Sequence, residues 1–549
     1  MTESSRFSPL FSSLLEKRGL SDPVAISRFL QADLSDLGDP LIMKGIPEAV
    51  GRIRRAASSR EKILIHGDYD ADGITASAIL ARTLQKLGVE FRVFLPERSK
   101  DGYGVSAPAI REAASEQYRI LITVDCGISA HDEIREARSL GMEVIVIDHH
   151  RIPVEGGPRD AIIINPQQED CPYPFRELSA GGLAFKLSQA LIGTEAFTFL
   201  DLAALSTVAD VAPLLDENRI IVKHGMKQMA ETRNIGLKAL IQTAGIRAKE
   251  MNVGHLGFML GPRINACGRM GAPDAALRLF MTASETEAQK WARLLDEENQ
   301  ARQREERAMV QEAIQEADRT VNFNRERIVV VGREGWHQGV IGIVAARLVE
   351  KYERPAIVIG FEGERGKGSG RSIQGFDLFK SLQDCAGLLE QFGGHEQAAG
   401  LVIAKAHFIA FKKKINEYAM NHCPSGLFVK KKHADLGIEL SQIHGLFVRE
   451  LRMLEPHGVG NPRPVFLTRG LLLKTKPVRI SAQTLQFWVT DGAMTYEARL
   501  TSRFEKDMSG FEQGTAVDLY YTLKSYTAFG EEKISFEIKA LEPAAAGKS

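Results

Sequence analysis

Cysteine is scarce in this sequence and long apolar runs are absent from it. The 549 residues contain five cysteines, none of them in a CxxC pair: Cys126, Cys171, Cys267, Cys385 and Cys423. This spacing argues against a zinc knuckle or a disulfide framework and fits a reducing compartment. No apolar run reaches the ~18 residues of a membrane helix, and the N-terminus lacks a signal-peptide pattern. We therefore expect a cytoplasmic protein that does not span a membrane.

The sequence also lacks an excess of charge of either sign. Its 70 basic and 70 acidic residues give a formal net charge of zero. That balance argues against a chain that is basic all over, although a local basic groove remains compatible with it. A length of 549 residues exceeds one ordinary domain, so we expect two to four domains.

The pattern of apolar and polar residues predicts five segments along the chain. Strands alternate with amphipathic helices in two α/β regions, and the first of these is expected to contain a parallel sheet. A stretch without Pro or Gly, from Thr282 to Arg319, predicts one long charged helix that spaces two domains. The predicted segments are a helical region at 1–48, an α/β domain at 49–275, the linker helix at 276–322, a second α/β domain at 323–424 and a small β-barrel at 425–545.

The stretch "IHGDYDADGITASAIL" holds His66, Asp68, Asp70 and Asp72. It resembles an EF-hand loop at first, but position twelve, which requires Glu, is Ile79. The preceding "KILIH" is short and β-branched, so the order is strand, acidic turn and helix. A helix cap explains one carboxylate but not three and a histidine. Mixed carboxylate and imidazole donors favour Mn²⁺ or Mg²⁺.

Two further apolar strands end in residues of the same kind. "ILITVDCG" ends at Asp125, and "VIVIDHH" ends at Asp148, His149 and His150. Ligands of open α/β sheets bind beyond the carboxyl ends of the strands, so these groups are expected to converge. Asp210 interrupts an apolar helical run, where a buried carboxylate is unfavourable unless it is paired or bound to metal. Asp210 could alone be a helix cap, but with the others we interpret it as a metal ligand.

Together, these four motifs match those of the DHH phosphoesterase superfamily. "GWHQGVIGIVAARL", "GSGRS" and "FGGHEQAAGL" resemble the DHH-associated domain. "DGYGV", "GPRINACGR" and "LEPHGVGNPRPVF" are similar to the branch of exonucleases specific for single-stranded DNA, and the barrel resembles an OB-like nucleic-acid-binding domain. The resemblance extends from about residue 50 to about residue 540, and no metal-type position departs from the pattern.

The resemblance implies a hydrolase that degrades single-stranded DNA from its 5′ end and releases mononucleotides, with two divalent ions. One ion would be held by His66, Asp70 and Asp125. The second would be held by Asp72, Asp125, His149 and Asp210, so that Asp125 bridges the two. Asp68 and Asp148 would orient these ligands, and His150 would face the scissile phosphate. Asp72, Asp125, His149 and His150 are the predicted catalytic residues.

A nuclease must also hold the DNA strand. The candidates for phosphate or nucleic-acid contacts are Arg98, Tyr103, Arg263, Arg269, Ser369, Arg371, Ser372 and His395. Each arginine could equally form an ordinary surface ion pair. The Gly-rich loop "GERGKGSGRS" is not a Walker P-loop, because Gly366-Lys367 is followed by Gly368, so we expect no ATP dependence. Among the aromatic residues of the barrel, most are expected in its core, and some could stack on bases.

Two other functions fit part of this pattern. A DHH phosphodiesterase acting on short oligonucleotides or cyclic dinucleotides would share the metal site, but it would not need the long helix and barrel. A non-catalytic scaffold should have lost metal ligands, which this chain retains. The resemblance further implies a role in DNA repair and recombination, with single-strand-binding protein and a RecQ-type helicase as partners.

Overall fold

The computed structural model describes residues 7–97, 104–270, 273–423, 427, 432–481, 484–501, 511–528 and 531–544. The chain divides into two compact units. The first comprises residues 1–264, 276–292 and 432–549, and the second comprises 265–275 and 293–431. Segments from both halves of the sequence therefore belong to the first unit.

The chain begins with three helices whose starts are marked by proline in the first turn. The side chains of Ser8 and Asp22 accept hydrogen bonds from backbone N–H groups in the first turns of the first two helices, as N-caps do. The helices are α1 (Pro9–Lys17), α2 (Pro23–Gln31) and α3 (Ile46–Ser59). Phe11, Leu14 and Leu15 of α1 are buried in one core cluster with the C-terminal barrel, so the first helix packs as part of that barrel.

The first sheet is parallel, as the alternating pattern predicts. Its elements are β1 (Lys62–Gly67), α4 (Ala71–Lys86), β2 (Phe91–Phe94), α5 (Ala107–Ser115), β3 (Tyr118–Val124), α6 (His131–Ser139), β4 (Glu143–Ile147) and β5 (Ala161–Ile164). The strand order is β2-β1-β3-β4-β5, which places the carboxyl ends of β1, β3 and β4 side by side at one edge.

Seven helices follow the first sheet along the described part of the chain. The helices are α7 (Ala180–Ile192), α8 (Leu200–Ala209), α9 (Asp216–Met229), α10 (Ile235–Thr243), α11 (Val253–His255), α12 (Gly261–Met270) and α13 (Pro273–Met281). Of the residues that the structure describes, only the stretch Ala180–Ala209 is long and apolar enough to cross a membrane. Within it, 67% of the apolar window is buried inside the protein, as in a core helix.

The long charged helix is present as α14 (Glu285–Thr320), and this confirms the prediction for 282–319 within a few residues. The second unit then contains β6 (Val329–Glu334), α15 (Ile341–Tyr352), β7 (Ala356–Glu362), β8 (Arg365–Arg371), α16 (Leu378–Asp384), β9 (Gln391–Gly394), β10 (Ala398–Ala404) and α17 (Phe408–His422). Its sheet has the order β6-β7-β8-β10-β9, in which β6 and β7 are parallel and the other pairs antiparallel.

The interpretation of "GERGKGSGRS" as a loop is wrong, because residues 365–371 form strand β8. Alternate glycines on β8 face large neighbours. A Cβ atom on Gly366 would lie 2.7 Å from the Ile359 side chain, and one on Gly368 would lie 2.8 Å from that of Leu401. The glycines therefore make room for neighbouring side chains within the sheet, which a reading based on glycine content alone misses.

The C-terminal barrel closes through a pairing between strands that are distant in the sheet order. Its elements are β11 (Leu436–Gly437), α18 (Gly445–Arg452), β12 (Phe466–Leu473), β13 (Val478–Ser481), β14 (Thr484–Thr490), β15 (Thr495–Thr501), β16 (Ala516–Ala528) and β17 (Glu531–Pro543). The sheet order is β11-β12-β16-β17-β15-β14-β13, and an additional pairing of β12 with β14 closes a five-stranded barrel, as in OB folds.

Arg219 on α9 joins the first α/β domain to the barrel. Its guanidinium is buried and donates all five of its N–H groups to backbone carbonyls. Nε reaches Phe29 O at 2.7 Å, and Nη1 and Nη2 reach the carbonyls of four consecutive residues, 453–456, at 2.8–3.2 Å. One side chain therefore fixes α2, α9 and the segment that follows α18.

Arg219→Met should lower the free energy of unfolding by about 3 kcal/mol or more, because the carbonyls of Phe29, Met453 and Glu455 would lose the donor that Arg219 provides, whereas those of Leu454 and Pro456 would keep Asn461 Nδ2. Urea denaturation of the full chain would measure the loss. Arg219→Lys keeps the charge but offers three donors, so it should fall between Met and the natural residue. Equal denaturation midpoints for all three chains would contradict this role.

Candidate metal and phosphoester site

The acidic turn after β1 is built by Asp70 as the N-cap of α4. Its Oδ1 accepts hydrogen bonds from the backbone N–H groups of Asp72 and Gly73 at 2.9 and 3.0 Å. The turn is tight, because a Cβ atom on Gly73 would lie 2.6 Å from Asp68 O. Glycine at this position therefore lets the chain pass from strand to helix while three carboxylates stay together.

Asp125 follows β3 in the left-handed backbone region, with φ of +63°. This conformation is uncommon for a residue with a side chain, and Asp is among those that tolerate it best. The residue is 3% exposed, and its Oδ1 accepts no hydrogen bond from the described residues. A buried carboxylate oxygen without a donor is the kind of atom that a cation satisfies.

His149, after β4, brings three of the predicted ligands together. Its Nε2 lies 3.2 Å from Asp125 Oδ1 and 3.6 Å from Asp72 Oδ2, and its Nδ1 lies 3.8 Å from Asp210 Oδ2. The backbone carbonyl of His149 accepts a hydrogen bond from Gln167 Nε2. Residues that follow β1, β3, β4 and α8 thus meet at one edge, as the strand-end pattern predicts.

Asp148 and His150 form a pair beside this cluster. Asp148 is buried and accepts hydrogen bonds from the backbone N–H of Ile128 at 2.9 Å and from His150 Nδ1 at 2.7 Å. Burial would raise the pKa of Asp148, but the hydrogen bonds and the charge of His150 outweigh it and the pKa is lowered. The same hydrogen bond raises the pKa of His150 to about 9, so its ring is protonated at neutral pH. The side chain of His150 is 47% exposed.

Asp72 is held by groups that the sequence motifs do not include. Its Oδ2 accepts from Ala180 N–H and its Oδ1 from Gly181 N–H, both at 2.9 Å, at the N-terminus of α7. Ser206 on α8 donates its hydroxyl to Oδ1 as well. Two features of the sequence could have indicated these groups. Ser206 precedes Asp210 by four residues, about one helical turn, and the stretch "SAGG" at 179–182 consists of small residues that allow a close approach.

Asp210 ends α8, and its position depends on the barrel. Val211 has φ of +64°, so the chain turns sharply after the carboxylate. Four residues after Asp210, Leu214 N–H donates to Val459 O in the segment between α18 and β12 at 2.7 Å. The barrel therefore holds the segment that follows this candidate ligand.

His66 does not belong to the clusters of possible ligand atoms found among the described residues. Each cluster is a set of three residues whose possible ligand atoms lie within 4.8 Å of one another. The sets are Asp68 with Asp70 and Asp125, Asp72 with His149 and Asp210, and Asp125 with His149 and His150. The Nε2 of His66 instead accepts a hydrogen bond from Ser106 N–H at 2.9 Å. The ring is nevertheless fully buried at the carboxyl end of β1.

Burial, together with the crowding of carboxylates, raises the pKa values of Asp70, Asp125 and Asp210. Burial first, and then the neighbouring carboxylates, raises the pKa of Asp70, raises that of Asp125 well above its usual range, and raises that of Asp210 to about 8. Burial lowers the pKa of His149, which leaves the ring neutral and able to donate a lone pair. These donors fit a hard or borderline divalent cation, because several buried oxygens and a neutral imidazole face one space.

The structure describes only some of the residues that are predicted to contact DNA. Arg98 and Tyr103 lie outside the described residues, and so does the side chain of Arg269, whose backbone is in α12. Arg263 Nη1 donates to Met259 O at 2.7 Å.

The other candidates lie in the second unit. Arg371 Nη1 donates to Ser369 Oγ at 3.1 Å, beside the start of α15, where a Cβ on Gly342 would approach both side chains to 3.0 Å. Ser372 Oγ donates to Phe376 O at 2.7 Å, and His395 Nδ1 accepts from Gln397 N–H at 3.3 Å. The structure therefore groups Ser369 with Arg371 and gives Ser372 a structural hydrogen bond.

Without a cation, the first unit should lose stability as the pH rises. The folded-state pKa of Asp210, about 8, lies above the unfolded value of about 3.9, so between these values the folded state binds more protons. Raising the pH from 5.5 to 8.5 in EDTA should therefore destabilise the protein by about 3 kcal/mol, and Mn²⁺ should abolish the effect. Thermal unfolding would measure this change in stability. Asp210→Asn, which lacks the titrating carboxyl group, should show a weaker dependence of stability on pH. Stability that increases with pH in EDTA would contradict this explanation.

Three family domains match the chain in the order that the fold shows. The DHH family N-terminal domain matches residues 62–208, the DHHA1 domain matches 325–421, and the RecJ OB domain matches 434–540. These regions correspond to the first α/β domain, the second unit and the barrel. The resemblance inferred from the sequence motifs is confirmed.

Curated relatives give the same result along most of the chain. The single-stranded-DNA-specific exonuclease RecJ of Bacillus subtilis is 40% identical over 86% of this chain, and that of Thermus thermophilus is 37% identical over 79%. The Escherichia coli RecJ is 33% identical over 83% of both chains. The chain spans 60% of the Bacillus protein and 63% of the Thermus protein.

Solved structures extend the match to the fold. The RecJ of Thermus thermophilus in complex with Mn²⁺ has a TM-score of 0.82 at 30% identity, covering 98% of this chain and 77% of that chain. A RecJ exonuclease bound to manganese has a TM-score of 0.61 at 34% identity, covering 70% of this chain and 98% of that one. On these matches and on the three domains in their order, the chain belongs to the RecJ family of DHH phosphoesterases.

Proposed function

We propose that this protein is a metal-dependent exonuclease that hydrolyses single-stranded DNA from the 5′ end and releases mononucleotides, in the cytoplasm, during DNA repair and recombination. The observation that carries the proposal is the meeting of Asp72, Asp125, His149 and Asp210 at the carboxyl edge of a parallel sheet. Its relatives named single-stranded-DNA-specific exonucleases support the choice of substrate.

Two divalent ions, Mn²⁺ or Mg²⁺, are proposed as the cofactors. His66, Asp70 and Asp125 would hold one ion, for which His66 must release the hydrogen bond from Ser106 N–H. The other ion would be held by Asp72, Asp125, His149 and Asp210. Bound cations lower the pKa of water and neutralise charge that develops on a phosphodiester. RecJ of Thermus thermophilus has been solved with Mn²⁺ and with Mg²⁺, which supports this assignment.

The side chains of the site are proposed to position the cations and to place a positive charge beside the phosphate. Asp125 belongs to both sets of possible ligands, and its Oδ1 accepts no hydrogen bond from the described residues, so it suits a bridging role. The N-terminus of α7 and Ser206 fix both oxygens of Asp72, and Asp68 and Asp148 are proposed to orient the groups beside them. His150, protonated through its bond to Asp148 and partly exposed, is proposed to donate to a non-bridging oxygen of the scissile phosphate.

Further contacts are proposed along the DNA strand. Arg98, Tyr103, Arg263 and Arg269 would bind the strand, and Ser369, Arg371, Ser372 and His395 would bind a phosphate group. In the barrel, Phe487 and Tyr521 are buried, whereas Trp488 on β14 is 41% exposed and is the better candidate for stacking on a base. We further propose that the protein works without ATP and alongside single-strand-binding protein and a RecQ-type helicase.

The first experiment uses the purified protein, Mn²⁺ and a single-stranded DNA labelled at either end, with a duplex of the same sequence. We expect immediate release of the 5′ label as a mononucleotide, while the 3′ label persists on shortening strands and the duplex is spared. Hydrolysis of dinucleotides or cyclic dinucleotides without cleavage of the long strand would instead favour the small-substrate phosphodiesterase.

Asp125→Asn should reduce cleavage by at least about 10³-fold, because the variant loses the charge shared between two cations. Its affinity for single-stranded DNA in EDTA should stay within about threefold of the unaltered chain, because the strand is held mainly by phosphate contacts elsewhere. Gel assays of cleavage and fluorescence anisotropy of binding separate the two effects. Near-normal turnover by Asp125→Asn would refute a two-metal site.

Gly181→Ala should weaken Mn²⁺ binding by about 10- to 100-fold, because its Cβ would collide with the Ser206 side chain that holds Asp72. Gly182→Ala is the matched control on the same helix, since its Cβ would lie 3.2 Å from the nearest atom, a side-chain carbon of Leu178. Isothermal titration with Mn²⁺ measures both. Equal affinities for the two variants would show that the α7 terminus does not position Asp72.

A further inference from the structure

The backbone that carries His149 and His150 lies just beyond the ladder between β4 and β5. The last pair of that ladder joins Ile147 to Ile164, and Asp148 N–H still donates to Ile164 O at 3.2 Å. The two histidines that follow belong to no helix or strand. Their backbone carbonyls therefore need hydrogen-bond donors other than those of the sheet.

Two side-chain amides of the segment after β5 donate to these carbonyls. Asn165 Nδ2 donates to His150 O at 2.9 Å, and Gln167 Nε2 donates to His149 O. The backbone N–H of His150 donates to Asp148 Oδ1 at 3.0 Å. The peptide group that joins the two histidines is therefore held at its oxygen by Gln167 and at its nitrogen by Asp148.

The segment that carries the two amides is itself fixed. Asn165 is fully buried, and its Oδ1 accepts a hydrogen bond from Gln167 N–H at 2.8 Å. The next residue, Gln168, donates its Nε2 group to Ile163 O at 3.0 Å and to Asn165 O at 3.1 Å. Both N–H groups of the Gln168 amide are thus used within β5 and this segment, and neither histidine carbonyl receives them.

The orientation of both imidazole rings depends on the peptide group between them. The ring centroids of His149 and His150 are 4.6 Å apart. His149 Nε2 lies 3.2 Å from Asp125 Oδ1, and His150 Nδ1 donates to Asp148 Oδ1 at 2.7 Å. Because each ring stands away from its Cα atom, a rotation of the planar peptide group would swing both rings out of these positions.

We propose that Asn165 and Gln167 are positioning residues of the strand-end site. Gln167 orients His149 toward the cation, and Asn165 orients His150 toward the scissile phosphate. The inference deepens the proposed function and rests on it for the roles of the two histidines. Neither amide touches the reacting atoms, since each acts through a backbone carbonyl. Loss of an outer partner of this kind typically changes metal affinity or activity by about 10- to 100-fold.

The same hydrogen bonds could serve only to stabilise the segment, and Gln168 provides the comparison. Its amide also donates to two backbone carbonyls of this region, but to neither histidine. A residue that only stabilises the segment would lower the resistance to urea and leave the affinity for Mn²⁺ unchanged. A positioning residue would lower both.

The first test compares Gln167→Met with Gln168→Met in the full chain. Methionine keeps the length of the side chain and removes its donors, so both variants should unfold at a lower urea concentration in EDTA. Isothermal titration should give an affinity for Mn²⁺ about tenfold weaker for Gln167→Met and within about threefold of the unaltered chain for Gln168→Met. Equal affinities for Mn²⁺ in the two variants would overturn the inference.

Asn165→Ser tests the contact with His150. The serine hydroxyl can still accept from Gln167 N–H, but it is too short to reach His150 O. With saturating Mn²⁺, kcat on the labelled single strand should fall about tenfold, while KM and the affinity for Mn²⁺ stay within about threefold of the unaltered chain. An unchanged kcat would contradict the role of Asn165, and so would a loss of Mn²⁺ affinity as large as that of Gln167→Met.

The titration with Mn²⁺ separates this inference from the proposed function, because it requires no DNA. If Gln167→Met alone binds Mn²⁺ more weakly but the unaltered chain cuts no single strand, the proposed substrate falls and the positioning of His149 stands. If the unaltered chain cuts single strands and Gln167→Met matches Gln168→Met in Mn²⁺ affinity and kcat, the inference is overturned and the proposed function stands. If the unaltered chain binds no Mn²⁺, both fall.

Discussion

Repulsion among buried carboxylates is the constraint on which the strand-end site depends. Asp70 and Asp72 at the start of α4 share one space with Asp125 and Asp210, and the raised pKa values of Asp70, Asp125 and Asp210 reflect burial first and then the proximity of the other carboxylates. The fold relieves part of the repulsion, since the N-terminus of α7 donates two N–H groups to Asp72. The Oδ1 of Asp125 lies 3.2 Å from His149 Nε2 but accepts no hydrogen bond from the described residues. A cation at this edge would remove a repulsion that the protein leaves in place.

The first unit is held together by polar contacts between parts distant in sequence. Arg219 ties α2 and the segment after α18 to α9, and the Leu214 N–H bond to Val459 ties the chain after Asp210 to the barrel. Apolar residues of α1 complete the core of the barrel. The barrel is therefore part of the structure that positions a candidate ligand.

The meeting of the strand-end residues at one edge can be predicted from the sequence, because it depends only on the residues within each strand and at its end. β-Branched strands that each end in an acidic or histidine residue must place those residues at one edge once the strands are parallel. The long helix is equally predictable from its composition. The roles of Gly181 and Ser206 are not, because they arise from the packing of α7 on α8.

Strand β8 cannot be recognised from its composition. Its glycines accommodate the side chains of Ile359 and Leu401, which lie on other strands and become neighbours only in the folded chain. The hydrogen bond from Ser106 to His66 also depends on tertiary placement.

Unsatisfied polar atoms are a further feature that only the folded chain displays. Folding generally pairs buried donors and acceptors, so a buried atom that accepts no hydrogen bond from the described residues, such as Asp125 Oδ1, lowers stability unless a ligand binds it. Beside the Asp125 carboxylate, the partner that would satisfy this oxygen is a cation. The stability lost at this carboxylate would be recovered when a cation binds to it.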